Sequence, residues 1–146
     1  MKLLHSSILV MVFSIFLLCG TALLAQPAQG NVVVINNAEL SLSDDGSIAE
    51  FDSLTHLYNT RVLAKNELII SYKVVRHWWG NNNRDFITIY EVKGWEDVIS
   101  ANQRNGELFE EAWSTEEARK EYNDAYNKYF TGEHSDEIYQ EVVFNN

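Results

Sequence analysis

The chain has 146 residues, with 11 Lys and Arg against 21 Asp and Glu, and a formal net charge of −10. This length suits one domain. The excess of negative charge repels phosphate backbones and anionic lipid headgroups, so it excludes nucleic acids and anionic membranes as favoured partners.

Residues 1–25 have the pattern of a secretory signal peptide: a positive start at Lys2, an apolar run over residues 8–25, and small residues near its end. We expect cleavage after Ala25, which predicts a periplasmic or secreted bacterial protein with no stable membrane association afterwards. An uncleaved anchor is the alternative, because the run approaches the length that spans a bilayer. Cys19 is the only cysteine, so the mature chain has no thiol for disulfide or thiolate chemistry.

Residues 26–31 form a polar segment that we expect to be a flexible leader, and residues 32–146 are predicted to form a single domain. A β-branched run at residues 32–35 predicts a first strand that extends toward residue 42. A helix is predicted over residues 48–65. Its apolar positions recur at helical spacing, at Phe51, Leu54, Tyr58 and Val62.

Residues 68–79 and 86–92 alternate in polarity and are separated by a glycine and three asparagines, which predicts a β-hairpin with its loop at residues 80–83. A helical region follows over residues 95–113, interrupted by Gly106. Ser114 and Glu117 match a capping box at the start of another helix, and Gly132 is predicted to cap its end. Residues 138–144 are predicted to form the last strand.

The order strand, helix, strand, strand, helical region, strand is typical of an α+β, ferredoxin-like βαββαβ fold with an antiparallel sheet. In this fold the helices cover only one face of the sheet. The other face needs a cover, for which a second copy is the common solution, so the pattern predicts a homodimer.

The segments KVVRHWWG (residues 73–80) and RDFITIYE (residues 84–91), with this order of elements, resemble the dimeric α+β barrel superfamily, and exported bacterial members of unassigned function most of all. The resemblance implies a homodimer with a cavity between sheet and helices. Members of the superfamily include cofactor-independent monooxygenases, haem-degrading enzymes, chlorite dismutase-like haem proteins and binding modules. The resemblance therefore implies a fold without choosing a chemistry.

His77 is the candidate catalytic residue, because a histidine on a strand beside a Gly-Asn loop could carry a proton or act as axial ligand to a haem iron. The alternative is a structural role, in which its ring packs on Trp79 or bonds a backbone carbonyl. We expect no cofactor, with haem as the alternative. The run His134-Ser135-Asp136-Glu137 has metal-capable side chains, but a linear run rarely supplies converging ligands, so no metal site is predicted.

The candidate ligand-binding residues surround His77 in the predicted hairpin. Trp78 and Trp79 could form an aromatic wall, with packing in the core or at a dimer interface as the alternative. Tyr72 and Tyr90 could offer hydroxyl groups to an apolar pocket, and Arg76 could attract a carboxylate.

Three functions remain open from the sequence. The first is an exported, homodimeric, non-catalytic protein that binds a small, partly apolar ligand in the cavity between sheet and helices. The second is a cofactor-independent monooxygenase-like enzyme in which His77 transfers the proton. The third is a structural or interaction module without a small ligand.

Overall fold

The computed structural model describes residues 28–42, 44–80 and 85–143, so the predicted signal peptide and the loop at residues 81–84 lie outside the described residues. The chain divides into two compact units. One is Gly30–Glu141, which holds every described helix. The other is formed by Met1–Gln29 and Val142–Asn146, of which the structure describes only the ends of two strands.

The described elements follow the predicted order. They are the strand β1 (Ala28–Leu40), the helix α1 (Ile48–Arg61), a 3-10 turn (Leu63–Lys65), the strands β2 (Ser71–Arg76) and β3 (Asp85–Val92), the helices α2 (Trp95–Ala112) and α3 (Glu116–Asn127), and the strand β4 (Phe130–Val143). The sheet has the order β2-β3-β1-β4, and β3 pairs antiparallel with both β1 and β2. This arrangement confirms the predicted α+β, ferredoxin-like fold.

Strand register decides which side chains face the helices. Tyr90 of β3 lies between Val34 and Tyr72, and Thr88 lies between Asn36 and Val74. Since alternate residues share a face, these two rows belong to one side of the sheet. Val34 and Tyr90 on that side are 3% and 4% exposed and pack with residues of α2, so this is the helix-covered face.

Helix α1 is anchored by an aromatic cluster at one end of the sheet. Phe51 is 1% exposed. Its ring lies 5.0 Å from that of Phe86 on β3 and 5.2 Å from that of Tyr129, just before β4. Edge-on and tilted contacts of this kind add to the energy of apolar burial. The cluster fixes α1 over the sheet and so positions the residues further along the helix.

Several boundaries differ from the prediction. Strand β1 begins at Ala28, inside the segment expected to be a flexible leader. Helix α2 continues through Gly106 without interruption. Helix α3 is capped by Thr115, whose Oγ1 accepts from the amide of Ala118 at 3.1 Å, and not by Ser114. Gly132 lies inside β4, because that strand begins at Phe130, eight residues before the predicted start.

Candidate functional site

The main cavity lies between the helix-covered face of the sheet and the three helices, and its volume is about 500 Å³. Each element contributes residues at its own period. Strand β3 contributes every second residue, whereas α2 contributes residues three and four apart, which share one helical face. The lining comprises Asn36, Thr55, Tyr58, Asn59, Leu63, Val74, Phe86, Thr88, Tyr90, Asn102, Asn105, Gly106, Phe109, Tyr122, Asn123 and Tyr126.

The lining of the main cavity is polar but uncharged. It has five asparagines, four tyrosines and two threonines beside aliphatic and phenylalanine side chains, and none of these lining residues is Asp, Glu, Lys, Arg or His. This composition is unusual beside a whole-chain charge of −10. A charged ligand group would lose its hydration here without meeting an opposite charge, so the cavity favours neutral molecules.

Burial keeps the phenols of the cavity in their neutral form. Desolvation raises the pKa of Tyr126 to about 12, and desolvation is also the main cause that raises the pKa of Tyr58, Tyr90 and Tyr122. The phenolate form is disfavoured because it would have to leave water for an apolar surrounding. At neutral pH these four residues are therefore hydrogen-bonding hydroxyl groups and not charges.

Some polar groups of the cavity already have partners. The Tyr90 hydroxyl donates to Asn102 Oδ1 at 3.0 Å, and the Tyr122 hydroxyl donates to the carbonyl of Leu54 at 3.1 Å. Asn66, which is 4% exposed behind the cavity, donates its Nδ2 to Asn105 Oδ1 at 2.8 Å. These bonds fix the amides of α2 in place, so part of the wall is rigid before any ligand arrives.

Another polar group in the same wall is left without a partner. Thr55 lies close to Tyr126, and its hydroxyl partly opposes the rise in the pKa of the Tyr126 phenol. Its Oγ1 is nevertheless buried, and no described group meets it with hydrogen-bond geometry. A buried polar atom without a partner costs free energy, about 1–3 kcal/mol, so a ligand group that bonded Thr55 would recover it.

A second cavity of about 440 Å³ adjoins the first at the end of β2. Thr55, Asn59, Val74 and Phe86 line both cavities. The remaining wall of the second cavity differs in chemistry, because beside Val75 and Trp78 it includes four charged or titratable residues: Asp52, His56, Arg76 and His77.

Arg76 in the second cavity is paired with Asp52. The distance from Arg76 Nη1 to Asp52 Oδ1 is 2.7 Å, and the two side chains are 40% and 56% exposed. Such exposed pairs contribute little to stability, about 0–1 kcal/mol. Because Arg76 already has a carboxylate partner, the structure does not leave it as an unpaired cation for a ligand carboxylate.

The six residues singled out from the sequence do not share one cavity. Tyr90 lines the main cavity, whereas Arg76, His77 and Trp78 line the second one. Tyr72 packs against the core cluster around Val34 and lines neither cavity.

The two adjacent tryptophans stand out from the chain surface. Trp78 is 95% exposed and Trp79 is 90% exposed, and Trp79 lines neither of the two cavities. They follow the last residue of β2. Beyond that point no neighbouring strand residue or helix covers them in the described chain, so their size does not lead to burial.

The asparagines are the site residues that the sequence reasoning missed. Asn102, Asn105 and Asn59 lie three or four residues from the buried residues Val98, Leu108 and Val62. Polar residues at positions that helical spacing assigns to the core were the available signal. Such a residue needs a buried partner or a cavity.

The described residues offer no metal centre, since no three His, Asp, Glu or Cys side chains converge among them. His134 Nε2 lies 3.9 Å from Asp136 Oδ2, and both side chains are more than half exposed. Haem fits the main cavity poorly, because the lining residues include no histidine or cysteine, and His77 lies in the adjoining wall. Among the described helices, none is long and apolar enough to cross a membrane.

Comparison with known proteins assigns the fold. No family model matches the chain, and no curated protein matches it. Solved structures do. A candidate antibiotic biosynthesis monooxygenase from Caulobacter crescentus CB15 matches over 80% of this chain and 94% of its own, with 14% identity and a TM-score of 0.52. The chain has a ferredoxin-like fold. This confirms the ferredoxin-like fold that the sequence pattern predicted.

Other similar structures do not all share this description. A candidate antibiotic biosynthesis monooxygenase from Bordetella bronchiseptica has 10% identity and a TM-score of 0.52, with 79% of this chain and 100% of that one covered. A nipsnap family protein of unknown function from Agrobacterium tumefaciens has 9% identity and a TM-score of 0.51, with 80% and 92% covered. At such identities the similarity extends to the fold and not to an activity.

Proposed function

We propose that this protein binds a small, neutral, partly apolar molecule in the main cavity. The observation that carries the proposal is the uncharged lining: amides and hydroxyls on an apolar floor, with no ionisable acid or base that titrates near neutral pH. The volume of about 500 Å³ is typical of cavities that hold small organic ligands.

The polar groups of the lining indicate which hydrogen-bonding groups the ligand carries. Thr55 Oγ1 is buried without a hydrogen-bond partner among the described residues, and the amides of Asn59 and Asn123 also line the cavity. A hydroxyl or an amide can donate to a ligand carbonyl or accept from a ligand hydroxyl. Apolar lining residues such as Val74 and Phe109 supply most of the binding free energy, at about 25 cal/mol per Å² of apolar surface buried. A flat ring system with carbonyl or hydroxyl substituents matches both the polar groups and the apolar surface of the lining.

A pair of matched variants tests this proposal. Thr88 lies in the middle of β3 and lines the main cavity, so Thr88→Phe should fill it. Thr60→Phe makes the same change at an exposed position of α1. With Nile red, a neutral dye, as fluorescent probe, we expect wild type and Thr60→Phe to bind and Thr88→Phe to bind at least about tenfold more weakly. Equal binding by all three folded proteins would place the dye elsewhere and overturn the proposal.

A cofactor-independent monooxygenase is the second candidate, and the similar candidate monooxygenases from C. crescentus and B. bronchiseptica favour it. It would bind an electron-rich neutral substrate in the same cavity. His77 lines the second cavity and not the main one, which weighs against it as the proton-transfer residue. The lining of the main cavity includes no Asp, Glu, Lys, Arg or His that could take its place. Oxygen consumption with a bound phenolic substrate, lost in His77→Ala, would favour the enzyme over the binding protein.

We propose further that two copies associate through the sheet face opposite the helices. Val33, Ile35, Ile87 and Ile89 lie on that face, and Val75 there is 42% exposed. An apolar sheet face of this kind is commonly covered by a second copy. Light scattering after size exclusion at micromolar concentration should give twice the chain mass, and a monomer would contradict the proposal.

Export is the remaining proposal, and it rests on residues 1–25. The N-terminal sequence of the protein recovered from a periplasmic extract should begin at Gln26. A chain that keeps Met1 and sediments with membranes would show the anchor instead. Neither a cofactor nor a metal is needed for the proposed binding role.

A further inference from the structure

Gly106 lies in the interior of α2, an 18-residue helix, where glycine is the least favourable residue after proline. Two common reasons for a helical glycine do not apply here. Its φ is not positive, since among the described glycines only Gly80 and Gly132 have positive φ. Outside the backbone of its own helix and its chain neighbours, a Cβ built on Gly106 would meet no atom within 4 Å, so no other part of the chain requires its absence.

The position of Gly106 relates it to the main cavity. It shares the cavity-lining face of α2 with Asn102, Asn105 and Phe109, which lie four residues before, one before and three after it. Asn105 and Phe109 are partly buried, whereas Gly106 is exposed to solvent. The glycine therefore lies where the cavity wall meets solvent, at the mouth and not on the floor.

A side chain at this position would lie at the rim of the cavity. Helical side chains extend from the helix surface toward the preceding turn, which here carries Asn102. Gly106 itself lines the cavity, and the space beside its Cα is open.

We propose that Gly106 is a specificity-determining residue that keeps the mouth of the main cavity open and sets the size of the neutral ligand that can enter. The inference rests on the proposed binding function. The helix tolerates a poor helix former at this position because any side chain here would narrow the mouth of the cavity.

Three variants separate the aperture from a general effect on the helix. Gly106→Ala removes the helix-propensity penalty and adds one methyl group, and Gly106→Leu adds a branched chain. Ser100→Leu adds the same chain at an exposed position on the side of α2 away from the cavity. Binding of 2-naphthol and of Nile red is measured by calorimetry and fluorescence, and melting is followed by circular dichroism.

We expect Gly106→Ala to melt roughly 2–5 °C higher than wild type and to keep 2-naphthol while losing affinity for the larger Nile red. Gly106→Leu should bind both probes at least about tenfold more weakly, although it is folded, and Ser100→Leu should bind as wild type does. Unchanged binding by Gly106→Leu, or an equal loss in Ser100→Leu, would overturn the aperture while leaving the binding function intact. Failure of wild type to bind either probe would instead refute the proposed function.

Discussion

Replacing Tyr126 by phenylalanine should remove part of the protein's sensitivity to alkali. The Tyr126 pKa is raised by burial from 10.0 to about 12 in the folded chain. The unfolded chain loses this proton first, so the contribution to stability is fully present below pH 10 and is lost as the pH rises from 10 to about 12. One raised pKa unit corresponds to about 1.4 kcal/mol, so the whole loss is about 2.7 kcal/mol.

Urea denaturation followed by tryptophan fluorescence at about pH 8, 10 and 11 measures this effect. Between pH 8 and pH 11 the free energy of unfolding of the wild type should fall by about 1.4 kcal/mol more than that of Tyr126→Phe, with about 1.0 kcal/mol of this loss between pH 10 and pH 11. Tyr139→Phe, at a side chain 52% exposed on β4, is the matched control for loss of one phenol. If wild type and Tyr126→Phe lose stability with the same slope, Tyr126 is not buried as a neutral phenol in the cavity wall, and the account of that wall is wrong.

Three further substitutions test the packing around the site. Phe51→Ala should lower the free energy of unfolding in urea by about 3–5 kcal/mol, because the ring is 1% exposed. Asn66→Ala should cost about 1–3 kcal/mol, since it leaves the Leu68 amide, now bonded to Asn66 Oδ1 at 3.0 Å, without its acceptor. Thr115→Ala should lower the melting temperature through loss of about 1 kcal/mol, whereas Ser114→Ala should not; the reverse result would restore the cap predicted from sequence.

The order of strands and helices could be predicted because, over most of the chain, the spacing of apolar residues and the positions of turn residues indicated the same elements. Strand β4 shows where that agreement ends. Residues 131–137 are exposed and polar on both faces, so they give no alternation for a pattern to detect. The cap of α3 was placed one residue early because Ser114 and Thr115 are both suitable capping residues, and only the backbone geometry distinguishes them.

The site was harder to predict than the fold, because a cavity depends on which residues meet across elements. Trp78 and Trp79 drew attention by their size, yet burial requires a neighbouring element, and the described chain places none over them. The cavity lining comes instead from uncharged polar residues of medium size, such as Asn59, Asn102 and Asn123, on three different helices. Their proximity follows from helix packing over the sheet, which a linear pattern does not contain.

Native mass spectrometry of the protein purified from an exporting host tests the central claim most directly, with wild type and Thr88→Phe compared under the same conditions. The account predicts that wild type retains a small neutral molecule, released on denaturation, and that Thr88→Phe carries none because the phenylalanine fills the main cavity. The same adduct on both folded proteins, or an adduct that proves to be anionic, would contradict binding in the uncharged cavity.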